Sequence, residues 1–174
     1  MQALAFWKTI TMDKSNFLER LIELLELNEI RFAVVGGQAV NAYATPLVSL
    51  DLGLAVATEE LPELENLLSP HFSLQRFPYS LIVSDPNSGL RVQFQTDPRY
   101  SAMVARAATQ EVLGLALPVA NLEDVLQGKI WAALDEERRA SKRQKDLADI
   151  ARLLEAYPEL RKTVPEILLD KLLS

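Results

Sequence analysis

Between Arg31 and Val56 the chain reads RFAVVGGQAVNAYATPLVSLDLGLAV, and this stretch narrows the choice of fold more than any other. Phe32 to Val35 is an apolar run of strand length. It stops at Gly36-Gly37. Gln38 to Ala44 suits a short helix, and Thr45-Pro46 closes it, because the residue before a proline is pushed out of the helical region. Ser49 to Ala57 reads as a second strand and carries one acid, Asp51. The glycines let the backbone come close to a ligand, and the following helix offers free N–H groups and a positive dipole end. A phosphate suits such a turn. Side chains alternate along a strand, so an acid two residues after Asp51 would share its face and complete a pair of metal ligands. That position holds Gly53.

The flanking sequence places this unit in an α+β chain. Phe17, Leu18, Leu21, Ile22, Leu24 and Leu25 have helical spacing, with Asp13 or Ser15 as the cap. A helix to Leu68 follows the second strand. Three β-like segments come next, Phe72–Phe77, Tyr79–Val83 and Leu90–Gln95, and the turn at Asp85-Pro86-Asn87-Ser88-Gly89 predicts a hairpin between the last two. Arg99 to Ala108 reads as a helix or an irregular crossover. Glu111–Val119 reads as one strand with Gly114 at a bulge. From Leu122 the pattern is helical: one helix capped by Asn121, one from about Ser141 to Tyr157, and one after Pro165. Helices, then strands, then helices give α+β rather than a regular alternation. We expect a core over 1–120 with an N-terminal helix, and a helical subdomain over 121–174 packed on it.

Composition removes several chemistries. There is no cysteine, so disulfides, thiolate metal sites and cysteine nucleophiles are excluded, and a reducing cytoplasm suits the chain. The single His71 leaves no His-rich zinc site. No apolar run reaches the roughly 20 residues of a membrane span, and MQALAFWKTITMDK lacks the features of a signal peptide. The net charge of −6 argues against a generic nucleic-acid coat. The charge is uneven, −7 over residues 1–127 and +1 over 128–174. Arg138, Arg139, Lys142, Arg143 and Lys145 form a basic run, read as a solvated helix face or an anion contact. Trp7 and Trp131 read as packing residues.

The chain resembles the nucleotidyltransferase superfamily, in particular its bacterial minimal and AbiEii toxin-type branch, from about Phe32 to Leu154. The resemblance rests on Gly36 and Gly37, the segment GQAVNAYA, Ser49 where the family has Thr or Ser, and Asp51 at the first acid. It extends to LEDVLQGKIWAAL and SKRQKDLADIARLL, where Lys129, Lys145 and Asp146 match a Lys in one helix and a Lys-Asp pair in the next. It implies a mixed sheet flanked by helices with a helical C-terminal part. It also implies a cleft in which Gly36, Gly37, Ser49, Gln93, Lys129 and Lys145 hold a nucleotide and Asp51 is the catalytic and metal-binding acid. Three positions depart from the pattern. Leu47 stands where this branch often has Arg, Gly53 replaces the second acid, and Gln93 replaces the third.

Mg²⁺ takes oxygen ligands, usually one or two carboxylates with phosphates and waters. One retained acid therefore implies that Mg²⁺ enters only with a bound nucleotide. The first reading is a catalytically degenerate nucleotidyltransferase-fold protein that binds a nucleotide or an RNA end, or acts in a toxin–antitoxin-like system beside a protein partner encoded nearby. The second is a live enzyme that moves NMP to a hydroxyl of protein, RNA or a small molecule, using Asp51 with another acid such as Asp97. The third is a non-enzymatic oligomeric interaction module.

Overall fold

The computed structural model describes residues 2–172. Helices α1 (Gln2–Ile10) and α2 (Phe17–Leu27) lead into strand β1 (Phe32–Val35), which runs straight into α3 (Gly36–Tyr43). Then come β2 (Asp51–Val56), a 3₁₀ turn, α4 (Leu61–Leu68), and the strands β3 (Ser73–Phe77), β4 (Ser80–Ser84) and β5 (Arg91–Gln95). A second 3₁₀ turn and α5 (Ser101–Ala105) cross to the hairpin β6 (Ala108–Val112) and β7 (Leu115–Val119). Helices α6 (Leu122–Leu134), α7 (Ala140–Ala156) and α8 (Glu166–Leu169) close the chain.

The seven strands among the described residues form one mixed sheet in the order β3-β4-β5-β2-β1-β7-β6. β1 sits near the middle, antiparallel to β2 and parallel to β7, so all four of its residues are buried. β2 is parallel to β5. The hairpin expected across Asp85–Gly89 is β4–β5. Alternation then sorts the faces. Leu52, Leu54 and Val56 share one face with Val92 and Phe94, and all are buried with Phe17, Leu21 and Leu25 of α2 and Leu64 and Leu68 of α4 in one core. Asp51, Gly53, Gln93 and Gln95 lie on the other face, only partly buried.

Four expectations change. The N-terminal apolar patch is a helix, α1, anchored by buried Trp7. The α2 cap residue is Asn16 in a left-handed conformation, while the Asp13 carboxylate accepts from the Ser15 and Phe17 N–H groups. Ser49 lies outside the β2 strand, which begins at Asp51. The single strand with a bulge is two strands: Leu113 and Gly114 both have positive φ (55° and 87°) and form a two-residue hairpin turn.

Candidate functional site

A cavity of about 770 Å³ opens over the partly polar face of the sheet. Val35 and Gly36 at the end of β1, Ser80, Gln93 and Gln95 from β4 and β5, and the Asp97–Tyr100 turn line one side. The other side is α6, through Gly128, Lys129, Trp131 and Ala132, with Arg138 and Asp146 behind it.

Gly36 has φ +71° and passes the chain from strand to helix in one residue, a conformation that penalises a side chain. Gly37 is less demanding: a Cβ there would touch only Asp149 Oδ2, at 3.8 Å, an ordinary contact. Gly53 lies in register with Val35 on one side and Gln93 on the other. A Cβ on Gly53 would come within 3.1 Å of the Val35 carbonyl oxygen, so the bare backbone here lets β1 and β2 lie close. Ser49 faces neighbouring backbone. Its hydroxyl accepts from the Asp51 N–H at 3.2 Å and its carbonyl accepts from Gln38 Nε2 at 3.3 Å.

The back wall is an ionic network between α6 and α7. Lys129 is buried, with Nζ 3.1 Å from Asp146 Oδ1 and 2.8 Å from Asp149 Oδ2. Asp146 also takes Arg138 (2.6 Å), and Asp149 takes Arg152 (2.7 Å). Arg152 continues to Asn41 Oδ1 and the Thr45 carbonyl, which ties α7 to the end of α3. Burial of so many charges is tolerable only because each is paired; Asp149 Oδ2 meets Lys129 by ionic contact without an aligned hydrogen bond. Asp51 Oδ2 is 3.7 Å from Lys142 Nζ of α7, both partly exposed.

The structure therefore gathers Gly36, Gln93 and Lys129 at one cavity. Gly37, next to Gly36, and Asp51, two residues along β2 from Gly53, are not on its wall. Ser49 and Lys145 are not on its wall, and Lys145 is exposed. The two residues of the Lys-Asp pair part company: Asp146 turns inward to Lys129 and Arg138, while Lys145 stays exposed. Neighbours on a helix lie about 100° apart, so only one of these two can face α6.

Several cavity residues were missed. The Arg99 guanidinium lies 4.5 Å over the Trp131 ring and forks onto the Asp97 carboxylate, and Tyr100 meets Trp131 edge-on at 5.3 Å. The Tyr100 hydroxyl donates to the Gly128 carbonyl at 3.4 Å, and burial pushes its pKa up to about 12. Burial raises the Asp97 pKa, but the hydrogen bonds and charge of Arg99 outweigh it and hold the carboxyl below its usual range. Trp131 thus wears Arg99 on one face rather than serving as packing alone. The stripe Asp124, Gly128, Trp131 and Asp135 along α6 was the available signal, since these positions recur at helical spacing.

A family model described as nucleotidyl transferase AbiEii toxin, type IV TA system, matches residues 13–173. The chain belongs to the AbiEii nucleotidyltransferase family. No protein of curated function matches this AbiEii-family chain in sequence. Solved structures do match its fold. The antibiotic-resistance factor ANT(2")-Ia, in complex with adenylyl-2"-tobramycin, is 12% identical with TM-score 0.60, over 90% of this chain and 97% of that one. The lincosamide antibiotic adenylyltransferase LnuA, lincomycin-bound, is 8% identical with TM-score 0.53, over 81% and 98%. A nucleotidyltransferase-like protein from Paracoccidioides brasiliensis is 18% identical with TM-score 0.52, over 94% and 84%. At these identities the likeness is one of fold.

The residues present do not fit a two-metal centre. Among the described residues no group of three or more His, Cys, Asp or Glu side chains could hold a metal ion. Asp51 has a lysine beside it, Gly53 has no side chain, and Gln93 offers a neutral oxygen. No helix among the described residues is long and apolar enough to cross a membrane.

Proposed function

We propose that this AbiEii-family protein binds the phosphate-bearing end of a nucleotide or of an RNA in the cavity, and does not carry out two-metal nucleotidyl transfer. The observation that carries this reading is the ligand set on the sheet: one acid, one glycine and one glutamine in three positions that would each need a carboxylate. Positions 53 and 93 are adjacent in register, so the loss is concentrated where two ligands would meet. Gly36 and Lys129, meanwhile, keep a close-approach backbone and a cation on the cavity wall. The helices after residue 120 supply the wall opposite the sheet, in keeping with a core over 1–120 and an appended helical part. A toxin–antitoxin setting in the cytoplasm, beside a partner encoded nearby, suits the family.

Thermal melting with ATP, GTP, CTP and UTP tests the binding half, because a specific ligand stabilises by mass action. A rise in Tm with at least one nucleotide is the expected result, and no rise with any of them at millimolar concentration sinks it. Radiolabelled nucleotides with protein, RNA and small-molecule acceptors test the rest. Label incorporation that disappears in Asp51→Ala overturns the inactive reading. The live-enzyme alternative, with Asp97 as a second acid, is less well supported, since Arg99 already occupies that carboxylate.

A further inference from the structure

We infer that Lys142 takes the part of the missing divalent cation, so that the site accepts a polyphosphate without metal. This inference rests on the reading that the cavity receives a phosphate-bearing ligand. A nucleotidyl-transfer centre gathers unneutralised carboxylates, and a polyanion binds beside them only together with the metal ions that neutralise them. Here every carboxylate around the α3 end of the cleft already has a cation. Asp51 faces Lys142 at 3.7 Å, Asp146 holds Lys129 and Arg138, and Asp149 holds Lys129 and Arg152. Four cationic side chains against three carboxylates leave one positive charge in surplus, with no metal counted.

The pairs are not equivalent. Lys129 is buried between two acids, hydrogen-bonded to Asp146 and in ionic contact with Asp149, and Arg138 and Arg152 are hydrogen-bonded to the same two carboxylates. Lys142 has one partner, the longest distance of the set, and a side chain 36% exposed. It is the cation free to exchange Asp51 for a phosphate oxygen. Asp51 and Lys142 lie off the cavity wall: Asp51 stands two residues from Gly53, about 7 Å along the strand, and the register partners of Gly53, Val35 and Gln93, line the cavity. A chain of phosphates reaches across such a gap. Asp135 and Glu137 make the outer rim acidic, which disfavours a long polyanion lying across the mouth and favours a short one that enters end-on.

The test is calorimetric titration of the full chain with inorganic tripolyphosphate and with each NTP, in EDTA and in excess Mg²⁺. Binding of tripolyphosphate in EDTA is expected. Lys142→Met is expected to weaken it about tenfold, the loss of one charge-assisted contact. Lys162→Met, an exposed lysine remote from the cavity wall, controls for net charge. Asp51→Asn is expected to strengthen binding in EDTA, because it releases Lys142; a metal-dependent site responds in the opposite sense. NTP binding seen only with Mg²⁺ overturns this inference and leaves the nucleotide-binding reading standing. Lys142-dependent binding of tripolyphosphate but of no NTP supports it and sinks that reading. An unchanged Lys142→Met, a weakened Asp51→Asn, or no binding of any probe in EDTA also overturns it.

Discussion

An acid at position 53 would have to displace the Val35 carbonyl oxygen, 3.1 Å from where its Cβ would sit. Both groups belong to central strands with little room to shift. Gly53→Asp is therefore expected to cost about 1 kcal/mol, the lower end for overpacking, read as a lower urea midpoint at unchanged slope. Lys129 is a heavier case. Lys129→Met leaves Asp146 and Asp149 buried with only their arginines, and about 3 kcal/mol of stability should go with it. Arg138→Met removes the outer partner of Asp146 alone and should cost less. At this scale the sequence was legible where a pattern named a residue, as with Gly36, Gln93 and Lys129. It was not legible where two adjacent residues competed for one direction. Lys145 and Asp146 matched the family pattern equally well, and only the rotation of α7 relative to α6 decides which faces inward.

The β6–β7 hairpin shows what a turn needs and how it hides. Both central residues have positive φ, the type I′ geometry that suits the twist of the strands. Its sequence is Leu113-Gly114 rather than Asn-Gly, so the usual signal is absent and an apolar run read as one strand divides into two. Gly114→Ala should cost about 2 kcal/mol from backbone strain, and more from the Leu4 atoms that crowd its Cβ position. Urea unfolding of that variant measures it. The Asp97–Tyr100 turn was equally hidden, since neither Arg99 nor Trp131 belongs to a motif. It carries two pH signatures. The folded-state pKa of Asp97 is lowered, so its contribution is complete above the ordinary Asp range and is lost as pH falls through the lower folded value. Acid should therefore loosen Arg99 from Trp131, and Trp131→Phe identifies that ring's share of the tryptophan fluorescence change. Tyr100 runs the other way. Its folded pKa is raised to about 12, so its contribution is complete below the ordinary tyrosine value and is lost as pH rises through the folded one. Burial raises the Tyr43 pKa as well, so alkaline absorbance titration should show more than one late phenol, of which one is missing in Tyr100→Phe.

Across the molecule, the sheet and the C-terminal helices are joined through polar ties as well as through the core. The Ala120 N–H donates to the Val34 carbonyl, Tyr43 donates to the Ala120 carbonyl, and Arg152 grips the end of α3. Tryptophan fluorescence, from Trp7 on α1 and Trp131 on α6, and far-UV circular dichroism should therefore report one coincident urea transition. Separate transitions would mean that the helices after residue 120 unfold as an independent unit. The α+β class was legible because helical and strand periods segregate along the chain. The sheet order was not, since pairing β5 beside β2 and β7 beside β1 joins residues far apart in sequence. The closeness of β1 and β2 at Gly53 also sets a design rule: an acid placed there needs the Val35 carbonyl to give by a few tenths of an ångström, so a metal-binding variant calls for a compensating change in β1 as well as the acid itself.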